Sequence, residues 1–188
     1  LTIYTRLMME GGAGEYDPVA LSRRIGTHTG GVSVSLLITP VNKQGLSESV
    51  VTDCTTMISK LVVKGKATSE NIDELLSIVN LILTDARLDS RSKVLEMLKE
   101  SKSRLESGIQ GSGHSFALNR MRSRYTAAGY IDEKLKGISS LDTTKTLIQQ
   151  AEQDWPSFLA RLENIRRTIL THSAVRDGMF LDLTGDGK

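Results

Sequence analysis

Apolar positions recur along this chain with two different periods, and the change between them divides it. At the start Ile3, Leu7 and Met8 share one face of a helix from Leu1 to Glu10, which Gly11-Gly12 stops. Asp17-Pro18 sets an N-cap acceptor before a proline at the first helical position, opening a short helix through Val19, Leu21 and Ile25 that ends before Gly30-Gly31. The period then falls to two. Val32, Val34, Leu36 and Ile38 alternate with Ser33, Ser35, Leu37 and Thr39, which predicts a half-buried strand ended by Pro40. Asn42 to Ser49 reads as a loop, and Thr56 to Lys64 as a second strand with Met57, Leu61 and Val63 on one face. The two strands are expected to pair antiparallel.

Beyond Gly65 the period rises to about 3.6. Thr68 or Ser69 caps a helix through Ile72, Leu75, Leu76, Val79, Ile82 and Leu83, and Asp89 caps another through Val94, Leu95, Leu98, Leu105 and Ile109. Gly111-Ser112-Gly113 interrupts before a helix bearing Phe116, Leu118, Met121 and Tyr125, and a shorter turn from Tyr130 to Leu135 ends at Gly137. Leu141 to Gln153 and a segment starting at Asp154-Trp155-Pro156 complete the helices, before Met179 to Leu183 alternates as a third strand. This order predicts a single α+β domain over residues 1–188, a small mixed or antiparallel sheet covered on one face by helices. Three strands leave open edges. The chain begins mid-helix and stops just after a strand, so it is expected to be incomplete at both ends, with further strands supplied from the N-terminal side.

Composition narrows the function classes. Hydrophobic residues make up 39% of the 188, near the globular norm once glycine is counted. No apolar run approaches the ~18 residues of a membrane span, and the opening residues lack the basic-then-apolar pattern of a leader. Lys and Arg number 24 against 22 Asp and Glu, a net charge of +2. With few aromatics and no basic stripe, nucleic acid is disfavoured as a partner. The lone Cys54 cannot form an internal disulfide.

Reactive constellations are largely missing. His28, His114 and His172 stand far apart, so neither H-E-x-x-H nor H-x-x-E-H occurs, and each is read as a loop or helix-end residue. No G-x-S-x-G elbow exists, and Cys54 has no histidine near it in sequence. Gly111-Ser112-Gly113-His114 lies between helices, where a phosphate loop needs a preceding strand, so it is read as a hinge. Gly185-Asp186-Gly187 lacks the further acidic ligands of a calcium loop. Arg120, Arg122 and Arg124 form the densest basic group; Arg120 and Arg124 share a helical face, read as solvated, with a partner surface as the alternative. No catalytic, cofactor-binding or metal-ligating residue is assigned.

The stretch from Arg24 to Val34, with His28-Thr29-Gly30-Gly31-Val32 at its centre, followed by Val62-Val63-Lys64-Gly65-Lys66, resembles the third homologous domain of the presequence proteases. These are organellar zinc metallopeptidases of the pitrilysin/insulysin superfamily. The likeness continues through Ser103-Arg104-Leu105-Glu106-Ser107-Gly108, Ala127-Ala128-Gly129-Tyr130, Gly137-Ile138-Ser139-Ser140-Leu141, Leu162-Glu163-Asn164-Ile165-Arg166-Arg167 and Leu183-Thr184-Gly185-Asp186-Gly187-Lys188. Leu36-Leu37 and Tyr130 stand where family members often carry an aromatic with proline and a tryptophan.

The resemblance implies a pitrilysin-type fold and a parent built of four related units in two halves. Zinc and its H-x-x-E-H ligands would lie in another unit, in the mitochondrial matrix or the chloroplast stroma. This segment would then be a non-catalytic part of the wall closing around unfolded peptides, contacting other domains of the same chain, with acidic lining supplied elsewhere. An inactive structural or partner-recognition subunit of the same superfamily is the alternative, and an autonomous helical binding domain a third.

Overall fold

The computed structural model describes residues 1–44, 50–171, 178–179, 181–182 and 184–185, with side chains for all of these except 41–44 and 50–54. In chain order they form helices α1 (Thr2–Glu10) and α2 (Pro18–His28), strands β1 (Val32–Gln44) and β2 (Val50–Gly65), and a 3-10 turn (Ser69–Asn71). Helices α3 (Ile72–Thr84), α4 (Arg91–Arg122), α5 (Ala127–Lys136), α6 (Ile138–Gln153) and α7 (Trp155–Ile169) follow. The fold is mixed α+β, with one two-stranded antiparallel sheet among the described residues.

The helix starts follow local capping chemistry. Asp17 Oδ1 accepts the Ala20 N–H at 2.7 Å ahead of Pro18, and Asp154 Oδ1 accepts the Ser157 N–H at 3.1 Å ahead of Pro156. Those Ser157 hydrogen bonds, side chain first and backbone second, hold the Asp154 carboxyl below its usual range. Asp89, however, is not the cap of α4. Ser90 is, because the N–H to be satisfied at the third helical position belongs to Lys93, and Ser90 Oγ accepts it at 3.4 Å. Helix α6 begins at Ile138, ahead of the expected Leu141, because a carboxylate from α5 satisfies its first turn. Thr126 caps α5 by accepting the Gly129 N–H at 2.9 Å, lengthening the expected Tyr130–Leu135 turn into a helix.

The two strands are longer than their patterns. Pro40 does not end β1; the register jumps there, from Pro40 opposite Met57 to Val41 opposite Asp53, and pairing resumes to Gln44. The extra residues lie on β2, between Asp53 and Met57, opposite the step from Pro40 to Val41; a two-stranded ribbon tolerates such a break beside a residue that lacks an N–H because neither strand is central. The expected Asn42–Ser49 loop therefore holds strand as far as Gln44, and 45–49 lie outside the described residues. Of the expected third strand, Met179, Leu181 and Asp182 carry no strand pairing, while Phe180 and Leu183 lie outside the described residues.

The predicted alternation survives: Val34 sits opposite Val63 and Leu36 opposite Leu61 on the half-buried face, while Leu37 and Ile58 are exposed on the other. Val32, Val34 and Leu61 pack on the core. That core sits among the helices, where Tyr4, Leu7 and Met8 of α1 meet Ile78 and Ile82 of α3, Val94, Met97 and Leu98 of α4, Ala151 of α6 and Phe158 and Leu162 of α7. Gly12 turns the chain out of α1 at φ +82°, where a Cβ would also lie 2.7 Å from the Tyr16 carbonyl oxygen.

Candidate functional site

Among the described residues no group of three or more His, Cys, Asp or Glu side chains converges to hold a metal ion. His28 lies in the last turn of α2 and His114 on α4 just beyond its kink, and His172 lies outside the described residues. Cys54 is in β2, with its side chain outside the described set.

An open cleft of about 560 Å³ lies between α2 and α3, lined by Tyr16, Arg23, Arg24, Thr27, His28 and Glu74. Arg24 and Glu74 within it are already engaged with each other. Arg24 Nε donates to Glu74 Oε1 at 2.6 Å, its Nη2 to Ser77 Oγ at 3.2 Å, and its guanidinium lies 4.8 Å over the Tyr16 ring. The Arg24 hydrogen bond lowers the Glu74 carboxyl pKa, and the same bond raises that of Arg24 against its partial burial. A mutually satisfied pair of this kind ties two helices together; it offers no acid or base to a substrate.

A second groove, about 290 Å³, runs between α1, α4 and α6 over an apolar floor that includes Ile3, Leu98 and Leu147. Arg6 braces its edge, donating to the Met97 carbonyl at 3.3 Å, Ser101 Oγ at 3.1 Å and Glu100 Oε2 at 2.7 Å.

The basic group singled out in the sequence splits apart. Arg120 Nη1 donates to Ser139 Oγ at 2.7 Å and to Glu133 Oε1 at 3.3 Å, so it moors the end of α4 to α5 and α6. Glu133 is 2% exposed, its Oε1 also accepts the Ser139 N–H at 3.2 Å, and its Oε2 has no partner. The carboxylate thus stands at the N-terminus of α6, where the unsatisfied N–H groups and the helix dipole favour an anion. Nothing in the sequence signals this buried acid; Glu133 sits amid polar neighbours in a segment read as a turn. Arg124 falls beyond the last residue of α4, so the face expected to join it to Arg120 does not form. Arg122 and Arg124 are exposed, with no ion pair among the described residues.

The Gly111-Ser112-Gly113 break is a kink inside α4: Ser112 adopts φ −139°, ψ 38°, and helix continues on both sides. It joins two helical segments, as its position in the sequence predicts.

Comparison with known proteins supplies what the geometry does not. Residues 1–147 match the family described as Peptidase M-16C associated. The chain is 30% identical over 186 residues, 99% of its length, to presequence protease 1, chloroplastic/mitochondrial, of Arabidopsis thaliana, and covers 16% of that protein. It is 25% identical over its full length to the mitochondrial presequence protease of Eremothecium gossypii, covering 18% of it, and 30% identical over 131 residues to protein HypA of Clostridium perfringens, covering 12%. The chain therefore spans less than a fifth of the length of these curated relatives.

Proposed function

Since the chain belongs to the Peptidase M-16C associated family, we propose that it serves as a non-catalytic unit, with a pitrilysin-type fold, of a larger zinc metalloendopeptidase that degrades cleaved presequences and other short unfolded peptides. The observation that carries this reading is the alignment to the plant presequence protease, which uses 99% of this chain but 16% of the relative. Nearly the whole chain corresponds to one portion of a much longer peptidase.

A zinc site of the catalytic type needs three protein ligands around an open position. On this reading the metal and the groups that activate water are held by another part of the polypeptide; among the described residues no three such side chains converge. What this chain contributes is shape: a helical core braced by Arg24–Glu74 and Arg120–Glu133, forming part of the wall that encloses a peptide. The names of the relatives support a mitochondrial or plastid setting.

The test is metal analysis and peptide cleavage on the intact gene product and on residues 1–188 alone. The intact product is expected to bind zinc and to lose cleavage on chelation, and the shorter chain to do neither. Stoichiometric zinc within residues 1–188, or an intact product without zinc or peptidase activity, overturns the reading.

A further inference from the structure

Beyond the kink, the surface of α4 changes character. Leu118 and Met121 are 48% and 58% exposed, and Tyr125, in the turn that follows, is 74% exposed. Arg122 stands four residues after Leu118, beside it at the margin of the exposed apolar stripe. No Asp or Glu occurs between Glu106 and Asp132. Elsewhere on this helix Lys93, Lys99, Lys102 and Arg104 each have a carboxylate, but Arg122 and Arg124 have none among the described residues.

We infer that the end of α4 bearing Leu118, Met121 and Arg122, with Tyr125 in the turn after it, docks against an acidic, apolar-bearing surface on another domain of the same longer polypeptide. This rests on the proposed function for the existence of that polypeptide. Exposed Met, Tyr and Arg side by side are the residue types enriched in the buried centres of protein interfaces. Charge complementarity selects the occupant. A second copy meeting this face about a two-fold axis would set Arg122 near Arg122 with no carboxylate to separate them. An opposing Asp or Glu beside apolar side chains satisfies both the stripe and the charge. The relatives are more than five times as long as this chain, so ample polypeptide exists to supply it.

The experiment uses the intact gene product. Hydroxyl-radical labelling should find Met121 and Tyr125 protected, and a photo-crosslinker replacing Met121 should join a segment containing Asp or Glu at the mass of one polypeptide. Arg122→Glu should speed labelling of both residues about tenfold, the equivalent of ~1.4 kcal/mol at the contact, while Arg122→Lys keeps most of the protection. Because Arg122 is exposed, an unchanged circular dichroism melt certifies both variants as folded. Free labelling of Met121 in the wild type, crosslinks at twice the polypeptide mass, or binding of phosphatidylserine vesicles that Arg122→Glu abolishes would each overturn the inference. Zinc content and peptide cleavage of the same preparation report separately on the proposed function, so an active zinc peptidase with an open Met121 sinks the docking face alone.

Discussion

The two halves of α4 share one chain and one run of helix, yet they obey different rules. From Arg91 to the kink, Val94, Met97 and Leu98 are buried and the charges on the outside are matched in i,i+3 and i,i+4 pairs or by neighbouring helices. From Gly113 to Arg122 no residue is buried, and the end of the helix is fixed by one arginine reaching a carboxylate on α5. The first half belongs to the core and would be recognised as helix in any context. The second is a short helix held by a polar anchor, with its apolar stripe facing outwards. Burial alone does not decide whether a segment is helical; it decides whether the apolar side chains have already found their partner.

Substitutions can widen or erase this contrast. The largest effect is expected at Met97→Ala, which should cost ~2–5 kcal/mol in a urea melt through lost burial and a residual cavity, whereas Met121→Ala in the isolated chain should stay within ~0.5 kcal/mol. Equal costs at the two sites would abolish the distinction. Next comes Arg120→Ala, which leaves the buried Glu133 carboxylate held by Ser139 alone; ~1–3 kcal/mol is expected, with faster amide exchange confined to the distal half of α4 and the first turn of α6. Gly111→Ala and Gly113→Ala should go the other way. A Cβ at either position meets nothing and neither glycine has positive φ, so each replacement should add up to ~1 kcal/mol of helix stability and slow exchange across the kink.

The smallest effect is electrostatic and sits in the proximal half. Hydrogen bonding from Arg6, chiefly, and from Arg104 lowers the Glu100 carboxyl pKa. A depressed carboxyl contributes stability above its unfolded pKa and loses it as pH falls through the folded value. Glu100→Gln should therefore leave an acid melt less steep below about pH 4 and change little at neutral pH, more visibly at low salt than at high. An unchanged acid limb would show that the pair carries no net stability.

Much of the fold was legible in the residues. The caps at Asp17 and Asp154, each followed by proline, mark their helices because the signal is local: one acceptor, one orphan N–H, one missing donor. The alternation of Val32 to Ile38 against Leu61 and Val63 likewise predicted the hairpin, since period two has no other use. Pro40 misled because its effect depends on whether a strand is central or at an edge, which a sequence does not state. Asp89 misled by one position, because an N-cap is defined by the amide it must reach. Of the basic group, the sequence marked its density but not its division, since the partner of Arg120 is an acid thirteen residues on whose burial depends on three helices meeting. The family was legible where chemistry was not: the resemblance rests on glycines, caps and packing residues spread over the length of the chain.

At the corner between α5 and α6 the Glu133 carboxylate occupies the space that a side chain at position 137 would need: a Cβ built there falls 1.7 Å from Oε2. Gly137 has an ordinary negative φ, so it is glycine for want of room: the carboxylate fills the space, and the Glu133 backbone oxygen lies 2.8 Å from the same Cβ. A larger residue at 137 would have to displace the acid at 133, loosening the mooring of Arg120, and would still crowd the backbone oxygen behind it.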